Sequence, residues 1–203
     1  QKLYEYLFLG SSFVLMSLFI TSNSNSSPNG NNMTYTDSSV TKYIGKIMTE
    51  GRIPYIDGFD HKGLVLFIIN FIGYVINEHW GIWILENIAF IITMIFGYKY
   101  IKLHTNNKIA AFFSIIASML SIAYVYNGGS YSDEWDIPLI TISLYYFTKG
   151  LKNGFFKKYY SFVIGICCSL AVLLRPNIVL IWGFLALYLI YWYVKNKKLK
   201  DIL

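Results

Sequence analysis

The residues of this chain with the most chemistry in them fall in short polar stretches between apolar runs. Asp57, Asp60, His61 and Lys62 lie in the turn-rich segment Gly51-Arg-Ile-Pro-Tyr-Ile-Asp-Gly-Phe-Asp-His-Lys-Gly63. Asp133, Glu134 and Asp136 lie in Gly128-Gly-Ser-Tyr-Ser-Asp-Glu-Trp-Asp-Ile-Pro138, and Arg175 lies in Leu173-Leu-Arg-Pro-Asn177. His61 beside two aspartates has the donor types of a metal site, although three such residues in one turn more often hydrogen-bond the loop itself. Lys62 borders an apolar segment, from which a lysine can extend to lipid phosphates. Arg175 stands between two apolar runs, where a guanidinium is costly unless it is paired or at a wet mouth. Asp133 or Glu134 can supply that pair; Asp136, nearer the apolar run, is the weaker candidate. Asp37 precedes an amphipathic run and reads as its N-cap. Glu86, just inside a span with Trp83 nearby, reads as a helix-start acid at an interface, the alternative being a third acid facing the site.

The elements that must position these residues are membrane helices. Of 203 residues, 55% are hydrophobic and only 14% charged, far from the balance of an ordinary soluble domain. The fold class expected is all-α and polytopic. Seven apolar segments run over 3–20, 64–76, 82–97, 109–126, 137–147, 161–174 and 178–194. Crossing a hydrocarbon core of about 30 Å takes about 20 helical residues, so the spans extend into flanking Tyr and Trp anchors. The segment 64–76 is too short, reaching only about 20 Å, and Asn70, Gly73 and Asn77 form a polar stripe suited to an interfacial or re-entrant helix over 64–78.

Placing that segment in the outer interface leaves six spans with both termini cytoplasmic. Lys2, Lys99, Lys102, Lys108, Lys149, Lys152, Lys157, Lys158, Lys195, Lys197, Lys198 and Lys200 then share the cytoplasmic side, as the positive-inside rule requires. Asp37, Lys62, Asp133, Glu134 and Arg175 fall together outside. No basic run is interleaved with aromatics as a nucleic-acid groove needs. The adjacent Cys167 and Cys168 cannot staple distant segments.

The chain is expected to form a single membrane domain over residues 1–203, with 22–63 as its one long outer loop. Residues 21–32 read as a low-complexity tether with nothing to bury. Val40, Tyr43, Ile44, Ile47 and Met48 then recur at helical spacing, with Lys42, Lys46 and Glu50 on other faces. They predict an amphipathic helix over 38–50, stopped at Gly51.

An Asp heading a juxtamembrane helix, then Gly-x-x-Pro-Tyr-x-Asp-x-Phe-Asp-His-Lys-Gly before an apolar segment, resembles the first outer loop of polytopic glycosyltransferases with the C-type (GT-C) fold. The nearest group includes bacterial lipid A aminoarabinose transferases and galacturonosyltransferases and is related to protein O-mannosyltransferases. The segment 128–138 resembles that family's acidic loop before its fourth span, and Leu173-Leu-Arg-Pro-Asn177 a basic-Pro motif at the outer end of its fifth. The resemblance covers nearly the whole chain, but family members are generally longer. Residues after Val194 look like a cytoplasmic loop cut mid-course, which suggests the N-terminal module of a larger protein.

The resemblance implies sugar transfer from a polyprenyl-phosphate donor to a lipid or polysaccharide acceptor of the cell envelope, at the outer face of the plasma membrane. It implies Asp37 as the base that takes the acceptor proton, and Lys62 and Arg175 as the cations on the donor phosphate. Asp60, His61, Asp133 and Glu134 would shape the acceptor side. Some relatives bind a divalent metal and others need no cofactor. The competing readings are a transporter or flippase subunit, which would carry ionisable residues near the midplane and interrupted helices in matched halves, and a non-catalytic membrane scaffold.

Overall fold

The computed structural model describes residues 2–30, 37–126, 129–154 and 157–196, and among these it is all-helical. Eight α-helices follow in order: α1 Lys2–Thr21, α2 Asp37–Thr49, α3 Leu64–Ile76, α4 Gly81–Thr105, α5 Lys108–Val125, α6 Ser132–Lys152, α7 Lys158–Leu174 and α8 Leu180–Lys195. A 3-10 turn, Pro176–Val179, leads into α8. Three stretches, Lys2–Thr21, Gly81–Thr105 and Pro176–Lys195, are long and apolar enough to cross a membrane, and Leu64–Ile76, Lys108–Tyr124 and Lys158–Leu174 are shorter apolar helices. Helix α6 extends beyond its apolar run at both ends. Asp133 and Glu134 in its first turn and Lys149 and Lys152 in its last complement the helix dipole.

The long helices alternate in direction. Trp83 near the start of α4 donates from Nε1 to the Thr21 carbonyl at the end of α1, 3.3 Å away. Lys108 at the start of α5 pairs with Glu5 near the start of α1 at 2.6 Å. Lys152, at the end of α6, donates to the Leu103 carbonyl near the end of α4. The turn between α4 and α5 is set by two asparagines. Asn106 takes a left-handed φ of 50°, and Asn107 caps α5 by accepting from the Ile109 and Ala110 amides. The ends rich in lysine therefore gather at one end of the bundle.

Three apolar clusters hold it together. Phe13, Met16, Ile20, Phe90, Met94, Tyr98, Ala111, Ile115 and Met119 join α1, α4 and α5. Leu66, Ile82, Ala89, Trp135 and Leu174 join α3, α4, α6 and α7. Cys167, Ala171 and Trp182 join α7 and α8, and Trp182 also donates to Ser143 of α6 at 3.0 Å. The outward faces stay apolar: Leu180, Phe184, Leu187, Ile190 and Val194 of α8 are all exposed.

Helix α3 starts beside the end of α7 and ends beside the start of α4. Both its ends thus sit at the end of the bundle away from the lysines, and α3 lies across that end. The polar stripe of this helix turns inward. Asn70 and Gly73 are buried, while Asn77 accepts from the His79 and Trp80 amides to make the next turn. Small residues there let α2 approach closely: a β-carbon added at Gly45 would lie 2.8 Å from the Asn70 carbonyl carbon and 2.9 Å from the Phe71 nitrogen. Gly45→Ala should therefore destabilise the fold by about 1–3 kcal/mol, despite alanine's better helix propensity. A thermal unfolding midpoint at or above wild type would show that α2 is not docked this way.

That docking also rotates α2 from its expected facing. Thr41, Lys42, Ile44 and Ile47 are buried, whereas Val40 and Tyr43 are exposed. The expected tether is likewise corrected over its described part. Residues 22–30 follow successive turns, with Ser27 donating to the Ser24 carbonyl and Gly30 to the Ser27 carbonyl, and Ser24, Ser26 and Ser27 are buried. Residues 31 and 32 lie outside the described residues.

Candidate functional site

Two polar constellations occupy the end of the bundle opposite the lysines. The first is an open cleft of about 510 Å³ whose lining includes His61, Lys62, Tyr131, Ser132, Asp133, Arg175 and Asn177. Its near wall is the run before α3. Pro54 and Gly58 bring this run back on itself: Asp57 accepts from the Ile53 amide at 2.8 Å, and the Tyr55 hydroxyl donates to the Lys62 carbonyl at 2.8 Å. Asp60 is the hub. It accepts from the Lys62 amide at 3.1 Å, lies 4.0 Å from the Lys62 ammonium and holds His61 Nδ1 at 3.0 Å.

The far wall is the break between α7 and α8. Pro176 cannot donate to a continuing α7, and Arg175 takes an extended conformation. The walls join at Gly63, whose amide donates to the Leu174 carbonyl at 3.1 Å. A β-carbon at Gly63 would collide with the Leu173 carbonyl group. Only glycine permits this approach, which sets Lys62 and Arg175 on facing sides of one cleft.

Arg175 pairs with Asp133 at the start of α6. The side chains of this pair are 42% and 64% exposed, so it contributes about 0–1 kcal/mol to stability. Its consequence is positional: it steers the guanidinium toward the cleft mouth. On the other side of the pair a second hollow of about 390 Å³ is lined by Asn177, Ile178, Leu180 and Ile181. A polar cleft and a more apolar hollow thus share one ion pair.

The second constellation is buried, and sequence reasoning missed it. Glu86 is not a helix-start acid at an interface; it is fully buried, accepting from the Ser24 hydroxyl at 2.8 Å. Lys42, 6% exposed, reaches in from α2. Burial lowers its pKa, while the nearby Glu86 and Glu134 carboxylates push it back up. Glu134 turns away from the open cleft to this side and is 6% exposed. The Tyr126 hydroxyl is buried within reach of Ser24, Glu86 and Glu134, without ordinary hydrogen-bond geometry to any of them. Asp136, taken as the weaker candidate, is fully buried with both carboxylate oxygens lacking hydrogen bonds. The available signal was a glutamate followed by Asn87 inside an apolar run; Asn87 Oδ1 accepts from Thr21 at 3.2 Å.

Of the residues singled out from sequence, the cleft brings together His61, Lys62, Asp133 and Arg175, with Asp60 behind Lys62. Glu134 belongs to the buried cluster. Asp37 opens α2 as its first helical residue, and its side chain lies outside the described residues. Among the described residues no three His, Cys, Asp or Glu side chains converge as a metal site requires.

No curated protein and no solved structure matches this chain. The model of one family, the Competence-induced Ccs4 N-terminal domain, matches residues 7–201. The match takes in α2 to α8 whole, with both polar constellations, and all but the first turn of α1. This chain therefore belongs to the Competence-induced Ccs4 N-terminal domain family.

Proposed function

We propose that this chain is the membrane module of a glycosyltransferase that moves a sugar from a polyprenyl-phosphate donor to a cell-envelope acceptor. In this reading α1, α4, α5, α6, α7 and α8 span the plasma membrane. Helix α3 rests in the outer interface, and the lysine-rich end faces the cytoplasm. The observation that carries the proposal is the pairing, in one cleft, of Lys62 and Arg175 from opposite halves of the chain. Two cations at headgroup level suit the phosphate of an amphiphilic carrier. The hollow lined by Ile178, Leu180 and Ile181 offers its chain an apolar path past the Asp133–Arg175 pair.

The reaction follows from those parts. The Asp37 carboxylate takes the proton of an acceptor hydroxyl, and the freed oxygen attacks the anomeric carbon of the donor. The bond from that carbon to the phosphate oxygen breaks, and the electron pair leaves with the polyprenyl phosphate, whose charge Lys62 and Arg175 hold. Asp60, His61 and Asp133 orient the acceptor.

The test is to assay the full-length protein in proteoliposomes with polyprenyl-phosphate sugars and a cell-envelope glycolipid and polysaccharide fraction. Labelled sugar should move to the acceptor and free polyprenyl phosphate should accumulate. Absence of transfer with every donor, accompanied by solute flux, would replace this reading with a transporter. That alternative draws on Glu86 and Asp136, carboxylates buried among helices.

A further inference from the structure

A third cavity, of about 200 Å³, opens beside the buried cluster between α4, α5 and α6. Its polar wall is Glu134, Tyr126, Tyr131 and Asp133, and Phe90 and Ile137 are among its apolar residues. Glu134 lines this space with both carboxylate oxygens buried and neither in a hydrogen bond of ordinary geometry, the Tyr126 hydroxyl and the Ser130 amide being the neutral donors nearest it. A carboxylate cannot stay ionised in such a place without a compensating charge or donors.

The charges around it do not balance. Among the described residues Lys42 is the cation that acts on Glu134, and Glu86 shares it. Glu86 already accepts from Ser24 and keeps a second, unpaired oxygen. Asp133 on the cavity wall is matched by Arg175. One ammonium thus faces two buried carboxylates, and one negative charge is left over. Two tyrosine rings complete the wall, and aromatic faces attract cations as well.

We infer that this cavity binds one singly charged cation, an alkali ion or a small alkylammonium group, with the Glu134 carboxylate as its counter-ion and Tyr126 and Tyr131 as its walls. The site adjoins the Lys62–Arg175 cleft, sharing Tyr131 and Asp133 with its lining, but does not depend on any sugar-transfer role. It calls for positive charge where the cleft calls for negative.

The experiment titrates the full chain, in nanodiscs, with NaCl, KCl and methylammonium chloride in turn, following its thermal unfolding midpoint. Wild type and Glu134→Gln are run side by side, so general salt effects cancel in the difference. A saturable rise is expected in wild type for at least one cation, with half-saturation at least about tenfold lower than in Glu134→Gln. The arm that saturates first identifies an alkali or an ammonium ligand. Parallel titrations in the two proteins with all three salts would overturn the inference, because Glu134 would then hold a proton and no ion. Should Glu134→Gln fail to fold, Tyr131→Leu keeps the carboxylate and removes one aromatic wall. It should weaken the methylammonium or alkali response by roughly two- to tenfold, and an unchanged response would equally count against the site.

Discussion

Asp37→Asn is expected to lower sugar transfer by about 10²- to 10⁴-fold, the range supplied by a positioned general base. The substitution is chosen for what it leaves alone. Asparagine and aspartate are equivalent at a helix start, so α2 keeps its first turn and its packing on α3. An amide cannot accept the acceptor proton, so the loss should fall on turnover and not on the amount of folded protein. Lys62→Ala in the same assay should cost about 10²- to 10³-fold, because a leaving phosphate would lose one of its two cations. Full transfer by Asp37→Asn would remove that residue from the chemistry and leave it as a helix start only. Both variants need the unfolding midpoint of wild type for the comparison to count. Lys62 is the harder case, since its side chain is 11% exposed and packs beside Asp60.

Lys42→Met should be the most destabilising single change in the outer part of the molecule. Methionine matches the length of the lysine stem and fills its volume, so little packing is lost. What disappears is the one positive charge that the described residues place against Glu86 and Glu134. Lys42 acts on these carboxylates through space, and leaving them without that cation costs about 3 kcal/mol, the low end of the range for a broken buried pair. For a chain of this size that corresponds to a fall of roughly 10 °C in unfolding midpoint. Adding Glu86→Gln should recover a large part of the loss, since the stranded charge goes with it. Wild-type stability in Lys42→Met, or no recovery in the double variant, would show that Lys42 is not the counter-ion.

The helical architecture was legible because charge is expensive in an apolar helix. Lysines at 99, 102, 108, 149, 152, 157 and 158 mark ends, and the apolar runs between them mark α4 to α7. The cleft was legible in part through Arg175, an arginine between two apolar runs, whereas nothing in the sequence marks Gly63 as the backbone crossing that joins its walls. What failed were readings that priced a residue by its type alone. Lys42 stands off the apolar face of the expected amphipathic helix, yet a glycine one turn on, Gly45, rolls α2 onto Asn70 and carries Lys42 inside. Ser24 and Ser26 were assigned to a tether by composition. Their partner, Glu86, lies far along the chain, and no local pattern shows that a hydroxyl-rich turn is needed to satisfy it. The polar stripe of Asn70 and Gly73 suits an interfacial helix, but small and amide-bearing residues serve close helix contacts equally well.

The single backbone bond from Gly63 to Leu174 also fixes an order of events. One wall of the cleft is made early in synthesis and the other only when α7 has been threaded into place, so the Lys62 wall lacks the facing Arg175 wall while most of the chain is still being added. A chain stopped before α7 would carry the first wall and the Tyr131–Asp133 corner but not the Arg175 wall. The cleft is therefore among the last features to mature, and the addition of Arg175, Pro176 and Asn177 after the seventh helix is the step that makes it whole.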